Sequence, residues 1–153
     1  MEKNNLELIK KLREETEMSL GEIKKALEEA EWDLEKAKEI LRQRGGEFAE
    51  KKSQREAKEG RIGVYLHSNS KIGAIVEVRC ETDFVAKSSD FQDLVHEILL
   101  QIVGAGPSNV EELLQQPYVR DPQVKFEEIV KKYIFKLGEN IKIERFERYS
   151  LVD

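Results

Sequence analysis

Residues 62–79 read IGVYLHSNSKIGAIVEVR, and their hydrophobic period decides the fold. Ile62, Val64 and Leu66 alternate with Gly63, Tyr65 and His67. Past Ser68, Asn69 and Ser70, the residues Ile72, Ala74, Val76 and Val78 alternate with Lys71, Gly73, Ile75, Glu77 and Arg79. A period of two, broken by a polar turn around Asn69, predicts a β-hairpin with one apolar face. The next segment supplies a cover for that face. Thr82 or Asp83 caps a helical stretch in which Phe91, Leu94, Val95, Ile98, Leu99, Ile102 and Val103 form the strongest apolar stripe of the chain, ended by Gly104, Gly106 and Pro107. Helices around 110–114 and 124–137 follow, the second stopped by Gly138. A strand over 141–149 closes the chain; its apolar residues change parity between Ile143 and Phe146, so either a bulge intervenes or both faces are partly covered.

On the amino-terminal side of the hairpin the period is 3.6. Leu6, Ile9, Leu12 and Arg13 fall on one face of a first helix; Leu20, Ile23, Ala26, Leu27 and Ala30 on a second; Leu34, Ala37, Ile40 and Leu41 on a third. Ser19 with Glu22 is a capping-box pair, Asp33 caps the third helix, and Gly45 and Gly46 are expected to end it. Trp32 is placed at the turn between helices two and three. Residues 47–60 hold eight charges and no proline, which reads as a solvated helical linker. The expected organisation is α+β: a three-helix domain over 1–46, a charged helical linker over 47–60, and an α/β module over 61–153 with a three-stranded antiparallel sheet packed against helices.

The chain has 153 residues, 39% of them hydrophobic and 37% charged, with three prolines, a composition of soluble globular proteins. No apolar run approaches the roughly 18 residues of a membrane helix. The first twenty residues are charged rather than signal-like, so a cytoplasmic protein is expected. Net charge is −5 and is not polarised: residues 1–60 hold 14 basic and 16 acidic groups. A nucleic-acid binder draws most of its affinity from clustered basic residues, and no such cluster appears here.

Little in the sequence suggests covalent chemistry. Cys80 is the one cysteine, so no internal disulfide forms, and with His67 and His96 it is too small a set for a four-ligand zinc site. Cys80 shares the core parity of Ile72–Val78, which favours a buried structural thiol over a nucleophile; both histidines read as solvated. No Ser/His/Asp set, metal-ligand spacing or phosphate-cradling glycine loop is present. One segment resists a purely structural reading. In Cys80-Glu81-Thr82-Asp83-Phe84-Val85-Ala86-Lys87 a large aromatic directly follows a capping pair at the rim of the sheet. Phe84 is either a staple packed onto the following helix or an exposed wedge for a partner, since aromatics supply much of interface energy.

The stretch EVRCETDFVAKSSDF resembles the signature of the bacterial elongation factor Ts family, exchange factors of elongation factor Tu. The stretch IKKLREETEMSLGEIKKALEEAEWDLEKAKEILRQRGG resembles that family's amino-terminal domain, which has the fold of ubiquitin-associated domains, and LGENIKIERFERY resembles its last strand. The chain departs from the family at Glu17–Gly21, where a glycine-rich, methionine-bearing loop is usual and Leu20 stands where methionine is common. It has a single α/β module, and so resembles the short type of the family, which pairs two copies. The resemblance implies a guanine nucleotide exchange factor, not an enzyme, without cofactor or metal of its own. It implies that Thr82, Asp83, Phe84 and Val85 dislodge Mg²⁺ from elongation factor Tu, with Phe84 intruding between helices, and that Arg13, Leu20 and Lys24 dock the amino-terminal domain. The expected partners are elongation factor Tu and a second copy, with no membrane and no direct nucleic acid. The rival reading is an adaptor of the ubiquitin-associated type with a dimerising α/β module, which has no use for the TDFVA segment.

Overall fold

A computed structural model describes residues 2–153 of the chain. Three helices come first: α1 (Glu2–Thr16), α2 (Leu20–Glu29) and α3 (Leu34–Lys52). The ends of α2 and α3 follow the capping pattern. Ser19 Oγ accepts the Glu22 N–H and Asp33 Oδ1 accepts the Lys36 N–H, each satisfying an amide that the first helical turn leaves without a partner. Ile9, Leu12, Ile23, Ala26, Leu27, Ala37 and Leu41 form their shared core, with Trp32 half-buried against it. Leu6, expected on the same face, is exposed.

Gly45 and Gly46 do not end α3, as the sequence had suggested; the helix runs through them to Lys52. Two glycines cost a helix roughly 1 kcal/mol each, and packing of the continued helix offsets this. Gly45 is buried, with Met18 Cε 3.6 Å from where a Cβ would sit. One turn on, Phe48 meets Phe135 edge-on at 5.1 Å between ring centres, and Ala49 joins the larger core. The stretch expected to be a helical linker is therefore the last turns of α3 followed by irregular chain, and the first strand begins at Glu59.

Strands β1 (Glu59–Leu66) and β2 (Ile72–Cys80) form the hairpin, and β5 (Lys142–Ser150) pairs with the other edge of β2, giving a three-stranded antiparallel sheet in the order β1-β2-β5. The register of β5 shifts at the step from Glu77 to Val78: Val78 faces Ile143 and Glu77 faces Arg145. Glu144 is the extra residue of a bulge, which brings Ile143 and Phe146 to the same face and resolves the parity change. Between β2 and β5 the chain forms α4 (Asp83–Ala86), α5 (Ser89–Ala105), α6 (Val110–Gln115), β3 (Pro117–Tyr118), β4 (Asp121–Lys125) and α7 (Phe126–Leu137).

The face of β1 is the reverse of the one expected. Ile62, Val64 and Leu66 are 67%, 70% and 62% exposed. Gly63 pairs with Val76 and Tyr65 with Ala74, and directly opposed residues share a face. Because Val76 and Ala74 face the core, Gly63 and Tyr65 must also, leaving Ile62, Val64 and Leu66 on the open side with Ile75. On the inner side, α5 lies so close that a Cβ on Gly63 would meet Val95 Cγ1 at 2.4 Å.

The stretch after β2 is two helices and not one. Ser88 Oγ accepts the Phe91 N–H and starts α5, which puts a corner between the sheet and the long covering helix. The short β3-β4 pair was not expected either. The buried side chain of Gln101 holds it, donating from Nε2 to the Pro117 carbonyl and accepting the Val119 N–H.

Candidate functional site

The corner at residues 80–88 is built from the end of a central strand. Cys80 is fully buried at the last position of β2, and its thiol donates to the Thr82 carbonyl at 3.2 Å. Burial, reinforced by the nearby Glu139 charge, pushes the Cys80 pKa up to about 11. A neutral thiol pressed under a backbone carbonyl is a structural element, and the nucleophile reading has no support here.

Thr82 has extended backbone (φ −125°, ψ 151°) and its Oγ1 accepts the Val85 N–H at 3.2 Å, capping the single turn of α4. Within that turn the Ala86 N–H donates to the Thr82 carbonyl and the Lys87 N–H to that of Asp83. The far end is closed as well: Arg61 Nε donates to the Ala86 carbonyl at 2.8 Å and Ser88 Oγ to that of Val85 at 2.7 Å. The turn is thereby closed on itself and tied to β1 through Arg61.

The turn separates its side chains sharply. Val85 and Ala86 point into the core, Val85 at 6% exposure, whereas Phe84 is 86% exposed and belongs to neither apolar core. The staple alternative fails on this observation, because a staple requires a packing partner. Asp83 also faces solvent and forms a 2.7 Å ion pair with Lys87 one turn on. Its carboxylate, bonded to the ammonium, raises the Lys87 pKa above its ordinary value. Both partners are exposed, so the pair orients more than it stabilises.

One contributor had no local signal in the sequence. Glu139, 57 residues downstream of Thr82, accepts the Glu81 N–H (3.1 Å) and the Thr82 N–H (3.0 Å) on Oε1 and the Thr82 hydroxyl (2.7 Å) on Oε2. Gly138, in the left-handed region at φ 74°, ends α7 and turns the chain toward the corner.

Arg13, Leu20 and Lys24 lie on a separate part of the molecule, all exposed. Leu20 and Lys24 sit one turn apart on α2. Arg13 lines an open cleft of about 520 Å³ with Glu17, Met18, Ser19, Phe135 and Lys136, where the α1–α2 turn meets α7. A chain of charge links this region to the corner: Lys136 Nζ pairs with Glu17 at 2.6 Å and with Asp90, in the first turn of α5, at 3.2 Å. The helix that starts at the corner is thus tied to the helices that carry Arg13 and Leu20. No group of three or more His, Cys, Asp or Glu side chains with metal-binding geometry occurs among the described residues, and no helix there is long and apolar enough to cross a membrane.

Comparison with known proteins places the chain in one family. The family model described as Elongation factor TS matches residues 81–153, which include Thr82–Val85 and Glu139. The chain is similar to the elongation factor Ts of Coprothermobacter proteolyticus, 41% identical over 189 aligned positions that cover 94% of this chain and 96% of that protein. It is 38% identical to that of Synechococcus elongatus, over 94% of this chain and 86% of the relative, and 36% identical to that of Herpetosiphon aurantiacus, over 96% and 97%. The Synechococcus alignment runs to 190 positions against the 153 residues here, so that relative carries insertions which this chain lacks.

Proposed function

The chain belongs to the elongation factor Ts family, and from that premise we propose that its corner, Thr82–Val85, with Phe84 exposed, is the element that releases nucleotide from elongation factor Tu. The protein is a nucleotide exchange factor for elongation factor Tu in translation elongation. Exchange requires no bond to be made or broken in this chain. It is a linkage effect: a partner that binds the nucleotide-free form more tightly weakens nucleotide binding by the same factor, each decade corresponding to about 1.4 kcal/mol of differential affinity.

Phe84 is the observation that carries the reading. A phenyl ring left in water is a cost in the free protein that is recovered on insertion into a partner. Burying roughly 150–200 Å² of aromatic surface at about 25 cal/mol per Å² contributes about 4–5 kcal/mol at most, the scale of about three decades of nucleotide affinity. The ring enters between helices of the nucleotide-binding domain and, with Thr82 and Asp83, displaces the Mg²⁺ held there with GDP; Val85, expected to share this role, is buried in the core and anchors the turn instead. The bonded backbone of the corner supports this, because a wedge must not yield when it is inserted.

The helices of residues 1–46 form the second contact, a docking domain of the ubiquitin-associated type, with exposed Arg13, Leu20 and Lys24 facing elongation factor Tu. The last turns of α3 and the irregular chain to Lys58 join it to the module that begins with β1 at Glu59. The open face of the sheet, with Ile62, Val64, Leu66 and Ile75 uncovered, supports pairing of two copies, since exposed apolar side chains gathered on one face mark interaction surfaces. The working site is the cytoplasm, where elongation takes place. Release of fluorescent GDP from elongation factor Tu, with and without this protein, tests the reading. Catalytic amounts should accelerate release many-fold, and an unchanged rate would contradict it.

A further inference from the structure

We infer that Glu139 is a positioning residue for exchange, its carboxylate fixing the peptide and hydroxyl of Thr82 so that Phe84 is presented in one orientation. The inference rests on the reading of Thr82–Val85 as the exchange element. The Thr82 hydroxyl donates to Glu139 Oε2 at 2.7 Å, which leaves the lone pairs of Oγ1 to accept the Val85 N–H. Oε1 holds the N–H groups of Glu81 and Thr82 together. The clasp is reciprocal: the Glu81 carboxylate accepts the Asn140 N–H at 3.1 Å, and buried Asn140 donates from Nδ2 to the Arg55 carbonyl at 2.7 Å. The segments just past β2 and just before β5 are thereby locked to each other where α4 begins.

The packing of the corner without Glu139 is anchored further along, through Val85, Ala86 and the bonds to Arg61 and Ser88. Those contacts hold the second half of the turn. Among the described residues, only Glu139 bonds the Thr82 N–H and accepts from its hydroxyl, and with the Cys80 thiol on the Thr82 carbonyl it orients the half from which Phe84 projects. Reach, more than charge, is what this role demands. Glu139→Gln keeps a carbonyl oxygen for the two backbone N–H groups and offers an N–H₂ that donates to Thr82 Oγ1, whose second lone pair still accepts the Val85 N–H. Glu139→Asp keeps the charge but withdraws the carboxylate by one methylene.

The test uses the full-length protein, elongation factor Tu and fluorescent GDP, with plateau release rate and half-saturating concentration measured separately and folding checked by melting. Glu139→Asp should lower the plateau about tenfold with half-saturation within threefold of the parent, whereas Glu139→Gln should stay within threefold in both. Combined with Phe84→Ala, Glu139→Asp should cost clearly less than it does alone, since most of its effect passes through that ring. A parental plateau for Glu139→Asp, an equal loss in Glu139→Gln, or a further full loss on the Phe84→Ala background would overturn the inference. If Phe84→Ala alone leaves exchange intact, the functional reading itself fails, and the inference fails with it.

Discussion

A Cβ placed on Gly63 would lie 2.4 Å from Val95 Cγ1 and 3.1 Å from Leu99 Cδ1, so β1 and α5 meet at a distance that only glycine allows. This contact sets which face of β1 is covered. Gly63→Ala should force the helix outward and destabilise the fold by about 1–3 kcal/mol, as overpacking of a core does. Denaturant unfolding measures it; an unchanged midpoint would mean that α5 is not seated on the sheet at this point.

The opposite face leads to a second expectation. With Ile62, Val64, Leu66 and Ile75 uncovered on the open side, sedimentation should detect a dimer at tens of micromolar, and Val64→Lys should convert it to monomer. A parent protein that remains monomeric under those conditions would show that the face is left bare or is covered by another partner.

Docking and release should separate by mutation. Arg13→Ala and Leu20→Ala remove exposed side chains, so stability should change by no more than about 0.5 kcal/mol, while affinity for elongation factor Tu falls by about 1–4 kcal/mol if either is an anchor. Titrations indistinguishable from the parent would remove the amino-terminal helices from the interface.

Cys80 ties stability to alkaline pH. In the unfolded chain the thiol ionises near its ordinary value of about 8.5, whereas in the folded protein burial holds it protonated to about 11. Below the first value its contribution is fully present; as pH rises toward the second, the unfolded chain has lost a proton that the folded chain keeps, and stability falls. The stability advantage of the parent over Cys80→Ala should therefore shrink between about pH 9 and 11. At neutral pH a thiol reagent should label Cys80 only after unfolding, and rapid labelling of folded protein would contradict its burial.

Much of this fold was legible in local pattern, because caps and stops act through neighbours in sequence. Ser19, Asp33 and Gly138 mark helix ends as their chemistry requires. The features that were not legible depend on distant contacts. Alternation in β1 gives two faces but not which one is buried; that choice is made by the pairing of Gly63 with Val76 and the approach of α5. The glycines of α3 read as a stop until Phe48 and Ala49 find their partners in α7 and the main core. At the site, the Thr82 cap and the prominent Phe84 could be read from adjacent residues, while the Glu139 carboxylate, brought in by the turn at Gly138, leaves no periodic trace.

The most direct test of the central claim pairs the melting temperature with GDP release for Phe84→Ala. A ring that touches no core should be removable with the melting temperature nearly unchanged, while catalysed GDP release slows about tenfold or more, the effect of some 1.4 kcal/mol of lost transition-state interaction. A stability loss of roughly 3 kcal/mol, as for a buried aromatic, with exchange per folded molecule preserved, would contradict it.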